Sequence, residues 1–239
     1  VSPDGAAGSS SPDGVSRESA RAVEHRYGVV LGLTILAVLF SILAPDTPIG
    51  RAVAILLQST MLLAVIATSR QANAARGLTA TLTVVVLLGL AVLLGLKVVP
   101  RWVGAAGTAT AVAAVLVVLT RGVVRLIRER GVTLQAVAGA LTTYLLIGLE
   151  FALAIRVLVG ISAHPYFEQI TNAAVSQSQE IYFSFTTLTT TGYGDLTPIL
   201  SIGRALSVLE MLVGQIYLVT VIGLLVGNLR RTPERAPET

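Results

Sequence analysis

The sequence contains no cysteine. That excludes a disulfide framework, a thiolate metal site and a cysteine nucleophile. Charge is scarce too: 13% of the residues are charged, against about 25% in an ordinary soluble domain. Aromatic residues make up only 5%, with a single tryptophan. No Gly-rich phosphate loop is present, and His164 lacks companions at metal-ligand spacing. Aliphatic residues fill the chain instead. Of its 239 residues, 54% are hydrophobic, and the mean hydropathy is +0.79. A chain of this size cannot hide so much apolar surface in one water-soluble core. A soluble enzyme, a disordered protein and a secreted scaffold are all excluded.

A helix needs about 20 apolar residues to cross the hydrocarbon of a bilayer. Six stretches approach or exceed that length: residues 28–44, 52–69, 78–99, 102–120, 134–159 and 202–228. The breaks between the first four are short and polar or proline-bearing, which predicts tight connections between antiparallel helices. Residues 1–26 are Ser-, Gly- and Pro-rich at their start and predict a disordered arm. The first apolar stretch has no small-residue cleavage site, so it reads as a retained span.

With the N-terminus inside, the cytoplasmic segments hold twelve of the 17 basic residues. The predicted topology is therefore six spans with both termini cytoplasmic. The net charge of +4 reflects that bias, and no nucleic-acid partner is expected.

Between the fifth and sixth spans lies Ile181-Tyr-Phe-Ser-Phe-Thr-Thr-Leu-Thr-Thr-Thr-Gly-Tyr-Gly-Asp195. It is too short for a second helix pair. It predicts a short helix, with Ser176-Gln177-Ser178-Gln179 as a capping box, followed by an extended re-entrant strand. Non-helical backbone at membrane depth persists only inside protein or beside water, so the loop implies an aqueous path.

Thr190-Thr191-Gly192-Tyr193-Gly194-Asp195 resembles the selectivity filter of potassium channels. The resemblance covers residues 134–228: outer helix, pore helix, filter and inner helix. It implies that four chains ring a pore and that carbonyls of Thr190, Thr191, Gly192 and Tyr193 replace the water of a potassium ion, with the Thr190 hydroxyl innermost. Gly192 and Gly194 permit backbone angles that a Cβ would block. Tyr193 is expected to face away from the axis, against Tyr182 and Phe183. Family members often place tryptophans at those two positions; Tyr182 is the expected partner of Asp195. Some members carry a glutamate behind the filter where this chain has Thr186. The resemblance makes Gly214 a hinge in the inner helix, with close packing as the plain alternative. Gln215 is expected to face the cavity. Leu218, Val219, Ile222 and Val226 follow at helical spacing, and an apolar ring at Ile222 or Val226 would gate by dewetting.

Glu150 and Glu210 fall about 13 Å from the outer ends of their spans at helical rise. Carboxyls at that depth face protein, either sensing protons, supporting the filter from behind, or satisfied by Thr186, Thr187 or an arginine. Arg156 and Arg204 read as snorkelling residues with no special role. The fourth span carries no charge, so steep voltage sensing is not expected. Arg121, Arg125, Arg128 and Arg130 alternate with apolar residues and predict an amphipathic linker helix over 121–133 that either couples to the pore or rests on lipid. Residues 229–239 read as a short tail with no attached ligand-binding domain.

The whole reads as an all-α membrane protein. A four-span domain (27–120), the linker and a pore domain (134–228) form a homotetrameric, passive potassium channel in a bacterial inner membrane. No enzyme chemistry is expected, no cofactor, and no partner beyond the chain itself, lipid and permeant K⁺. The alternatives are a weakly selective cation channel, a potassium-coupled transporter subunit and a membrane sensor with a vestigial pore.

Overall fold

The computed structural model describes residues 26–43, 53, 57, 60, 101–170 and 174–229. The predicted second and third spans, the N-terminal arm and the C-terminal tail lie outside the described residues, apart from helical Val53, Leu57 and Thr60. Among the described residues there are five helices: α1 (Arg26–Leu43), α2 (Arg101–Arg130), α3 (Leu134–Ile161), α4 (Gln177–Leu188) and α5 (Ser201–Leu229). Three of them contain stretches long and apolar enough to cross a membrane: Trp102–Arg128, Leu134–Ile161 and Ser201–Val221.

Helices α1 and α2 each bury one main stripe, whereas α3 buries more than one face. On α1 the buried positions are Val30, Thr34, Ala37, Val38 and Ser41, spaced at three, four and seven. Thr34 and Ser41 can be buried because each hydroxyl donates to a carbonyl one turn back, at 2.8 and 2.7 Å. On α2 the stripe is Ala111, Val112, Val115, Leu119 and Val123. Val112, Val115, Leu119 and Val123 meet Leu146, Leu149, Ala152 and Leu153 of α3 in one apolar core.

Helices α2 and α3 form an antiparallel hairpin. Trp102 at the start of α2 lies against Gly160 near the end of α3, where a Cβ on residue 160 would collide with Trp102 Cβ. At the other end Gly131 takes a left-handed φ of 73°, and its amide donates to the Ile127 carbonyl at 3.0 Å. Glycine is the residue that makes this stop cheap. Thr133 then caps α3 by accepting from the Ala136 amide at 3.2 Å. The sequence divides span from linker at residue 120, but the helix runs unbroken to Arg130. Gly122 alone does not interrupt a helix flanked by Val, Leu and Arg.

The segment after α3 folds back against α4 and the stretch that leads into α5. Tyr166 and Phe167 are buried against Ile155 and Phe183. Phe167 pairs with Pro198 in an antiparallel bridge. Glu168 N–H donates to Thr197 O at 3.0 Å and Ile199 N–H to Tyr166 O at 2.9 Å. The Gln169 side chain brackets Thr197 with two further bonds of 2.9 Å. The chain entering α4 and the chain leaving the loop after it are thus tied together.

Candidate functional site

The site begins with the start of α4. Ser176 accepts from the Gln179 amide at 3.2 Å, and the Gln179 side chain accepts from the Ser176 amide at 2.9 Å. This is the reciprocal cap the sequence announces. Glu180 follows in the first turn, where the helix dipole favours an acid. Its carboxylate is buried and pairs with Arg156 of α3 at 2.5 Å. That corrects the reading of Arg156 as a snorkelling residue: it anchors the head of α4. Arg204 instead donates to Pro198 O at 3.0 Å, and His164 is exposed.

The other end of α4 holds the loop. Thr186 O accepts two amides, Thr191 at 2.8 Å and Gly192 at 3.1 Å, and Thr187 O accepts Thr190 N–H at 2.9 Å. The Thr189 and Thr191 hydroxyls meet at 2.8 Å. Positive φ then recurs at every second residue: Thr190 at 57°, Gly192 at 51° and Gly194 at 79°. Thr191 and Tyr193 stay outside that region. In an ordinary strand successive carbonyls point to opposite sides. Alternating the sign of φ turns them toward a common side. Among the described residues no amide or side chain donates to the carbonyls of residues 190–193. Backbone carbonyls are obligatory acceptors, so a row of unpaired ones is a site for a cation or for water.

Thr190 has a β-branched side chain in a conformation that costs such residues strain. Sequence reasoning places its hydroxyl but gives no hint of this backbone state. Gln215 of α5 steadies it, donating Nε2–H to Thr190 Oγ1 at 3.2 Å.

The aromatic surroundings divide. Tyr182 stacks on Tyr193 with centroids 6.4 Å apart and planes at 3°, and its hydroxyl donates to Asp195 Oδ2 at 2.8 Å. Phe183 does not face the loop. It turns to the side and meets Phe167 edge-on at 4.9 Å, because adjacent helix positions diverge by somewhat more than a quarter turn. Thr186 spends its hydroxyl on Phe183 O at 3.0 Å, so its carbonyl, not its side chain, supports the loop. In the segment above, burial pushes the Tyr166 phenol above its ordinary pKa.

Helix α5 packs directly under this arrangement. A Cβ on Gly214 would run into the Leu188 carbonyl oxygen and would sit 3.0 Å from Leu188 Cδ1. The glycine is therefore required for close approach. The same carbonyl accepts the Tyr144 hydroxyl from α3 at 3.3 Å. Tyr217 stacks on Tyr144 at 5.8 Å and donates to Ala140 O at 2.7 Å. Leu218 is half-buried and Val219 exposed. Ile222 and Val226 lie on α5, and their side chains fall outside the described residues. Glu210 meets Ser184, not a threonine or an arginine, at 2.5 Å. One oxygen of Glu150 is buried without a hydrogen-bond partner. Glu180, Ser184 and Tyr144 were not singled out from sequence; the acid in the first turn of a short helix was the one available signal.

Residues 142–231 match a family model described as "Ion channel". The match takes in most of α3, all of α4, the loop with the unpaired carbonyls, and α5. It supports an ion channel family, and with three membrane-length apolar helices it supports a membrane protein. No curated protein and no solved structure matches the chain.

Proposed function

We propose that this chain is one subunit of a potassium-selective channel, with four copies arranged about a common axis. The observation that carries the reading is the row of unpaired carbonyls at residues 190–193, aligned by positive φ at every second position. One such row offers a cation too few oxygens to replace its water. Four rows facing an axis supply rings of four, which is how a dehydrated potassium ion is held. The Thr190 hydroxyl, steadied by Gln215, adds a ring at the inner mouth.

The exposed apolar face of α5 fits the same assembly. Ile202, Leu209, Leu212, Ile216 and Val219 are each more than half exposed in the single chain. In a tetramer part of that face packs against neighbouring subunits and part lines the cavity below the filter. The Tyr182–Asp195 bond and the Tyr182–Tyr193 stack support the filter from behind, and K⁺ is the permeant ligand, not a cofactor. Six spans, with both termini cytoplasmic in a bacterial inner membrane, complete the proposal.

The test is a bi-ionic reversal potential in liposomes, potassium on one side and sodium on the other. A strong shift toward the potassium potential, lost on Gly192→Ala or Tyr193→Ala, is expected. Current that reverses near zero in the unaltered protein replaces potassium selectivity with general cation conduction.

A further inference from the structure

Glu210 is fully buried on α5, and Ser184 is fully buried on α4. Glu210 Oε1 lies 2.5 Å from Ser184 Oγ. Ser184 Oγ lies 2.6 Å from the Gly148 carbonyl oxygen of α3. Three helices therefore meet at one hydroxyl.

Hydrogen arithmetic decides what this contact is. Two oxygens approach this closely only with a proton between them; O–H···O bonds centre on about 2.7–2.8 Å. Two such separations need two protons. Serine has one and the carbonyl has none. The second must come from the carboxyl group. We propose that Glu210 is held as a neutral carboxylic acid that donates to Ser184, which in turn donates to Gly148 O, so that one directed hydrogen-bond chain clamps α5 to α4 and α4 to α3.

The surroundings agree. Among the described residues Ser184 is the sole hydrogen-bond partner of Glu210, and Glu210 Oε2 is buried with none. A carboxylate there would be an almost unsolvated charge, which is costly in a buried apolar setting. Tyr144 of α3 and Tyr166 of the outer segment, two titratable groups close enough to feel Glu210, bring no positive charge to balance it.

The clamp sits where position matters. One helical turn beyond Ser184 is Leu188, whose carbonyl abuts Gly214, one turn beyond Glu210. Helix α5 thus grips α4 at two successive turns. Between them Thr186 holds the Thr191 and Gly192 amides. Glu210 and Ser184 are positioning residues for the loop.

Infrared spectroscopy of the purified, unaltered chain in detergent tests the proton without reference to conduction. A protonated-carboxyl band that disappears in Glu210→Gln and shifts in Ser184→Ala is expected. No band that Glu210→Gln removes overturns the proposal. Potassium flux in liposomes tests the clamp. Glutamine still donates an N–H to Ser184, so Glu210→Gln keeps flux within roughly twofold, whereas Glu210→Met and Ser184→Ala lower it about tenfold and the double variant no further. Glu210→Gln failing alongside Glu210→Met overturns the donor role. Where a methionine variant fails to assemble, the glutamine variant and the infrared band decide. If the unaltered chain conducts nothing, the channel reading falls and the infrared result still stands for or against the neutral acid.

Discussion

Replacing Gly214 by alanine separates two demands on one residue. A hinge needs backbone freedom. A close approach needs the absence of a Cβ. The structure makes the second demand explicit, because the new methyl would run into the Leu188 carbonyl oxygen and crowd Leu188 Cδ1 at 3.0 Å. That carbonyl cannot rotate away like the end of a flexible side chain. It belongs to the last residue of α4 and also accepts the Tyr144 hydroxyl. Overpacking of this kind costs about 1–3 kcal/mol. Alanine returns up to about 1 kcal/mol through its better helix propensity. Gly223, on the same helix with open space around it, supplies the control. The propensity gain is common to both substitutions, so the contact alone sets their difference. Gly214→Ala is expected to be less stable than Gly223→Ala by about 1–3 kcal/mol. Denaturant or thermal unfolding of the purified protein in detergent measures it. Equal stability of the two variants refutes the close-approach argument, and an altered open probability would then return Gly214 to the role of hinge.

Three further outcomes follow from the contacts around the loop. Tyr182→Phe removes the hydroxyl bonded to Asp195 while keeping the ring on Tyr193; it is expected to cost about 1 kcal/mol and to shorten the life of the conducting state, read as faster decay of potassium flux. Arg156→Met leaves the Glu180 carboxylate buried beside α3. A loss of about 3 kcal/mol is expected, at the low end for a broken buried pair because Arg156 keeps 24% of its side chain exposed; unfolding midpoints of Arg156→Met against the Arg156→Met/Glu180→Met double variant check it, the double being the more stable. Gly160→Val drives a branched side chain into Trp102 and is expected to part the α2–α3 hairpin at that end, seen as a lower unfolding temperature.

What could be read from the sequence was whatever depends on one segment alone. The apolar lengths of residues 102–120, 134–159 and 202–228 foretell the three membrane-length helices. The capping box at Ser176 and Gln179 uses residues three apart and forms as written. The Gly-Tyr-Gly triplet marks the loop. What could not be read depends on partners from other elements. Ser184 is one serine among several until Gly148 and Glu210 arrive from either side. Arg156 looks idle until α4 places Glu180 against it. Tyr182 and Phe183 are neighbours of similar size, and only the phase of α4 sends one to Asp195 and the other to Phe167. The left-handed Thr190 has no local signal at all, since threonine ordinarily avoids that conformation.

The strap between residues 166–169 and 197–199 has a mechanical consequence. By joining the two ends of the segment that contains α4 and the Thr-Thr-Gly-Tyr-Gly stretch, it makes that segment behave as a cyclic peptide inside a linear chain. A ring has far fewer conformations to search than an open loop of the same length, and its ends cannot drift apart. Arg156 and the α5 contacts fix the helical arc of the ring. The freedom left to residues 190–195 is then rotation of single peptide planes about fixed anchors, a small motion that changes the direction of a carbonyl without moving the chain that carries it.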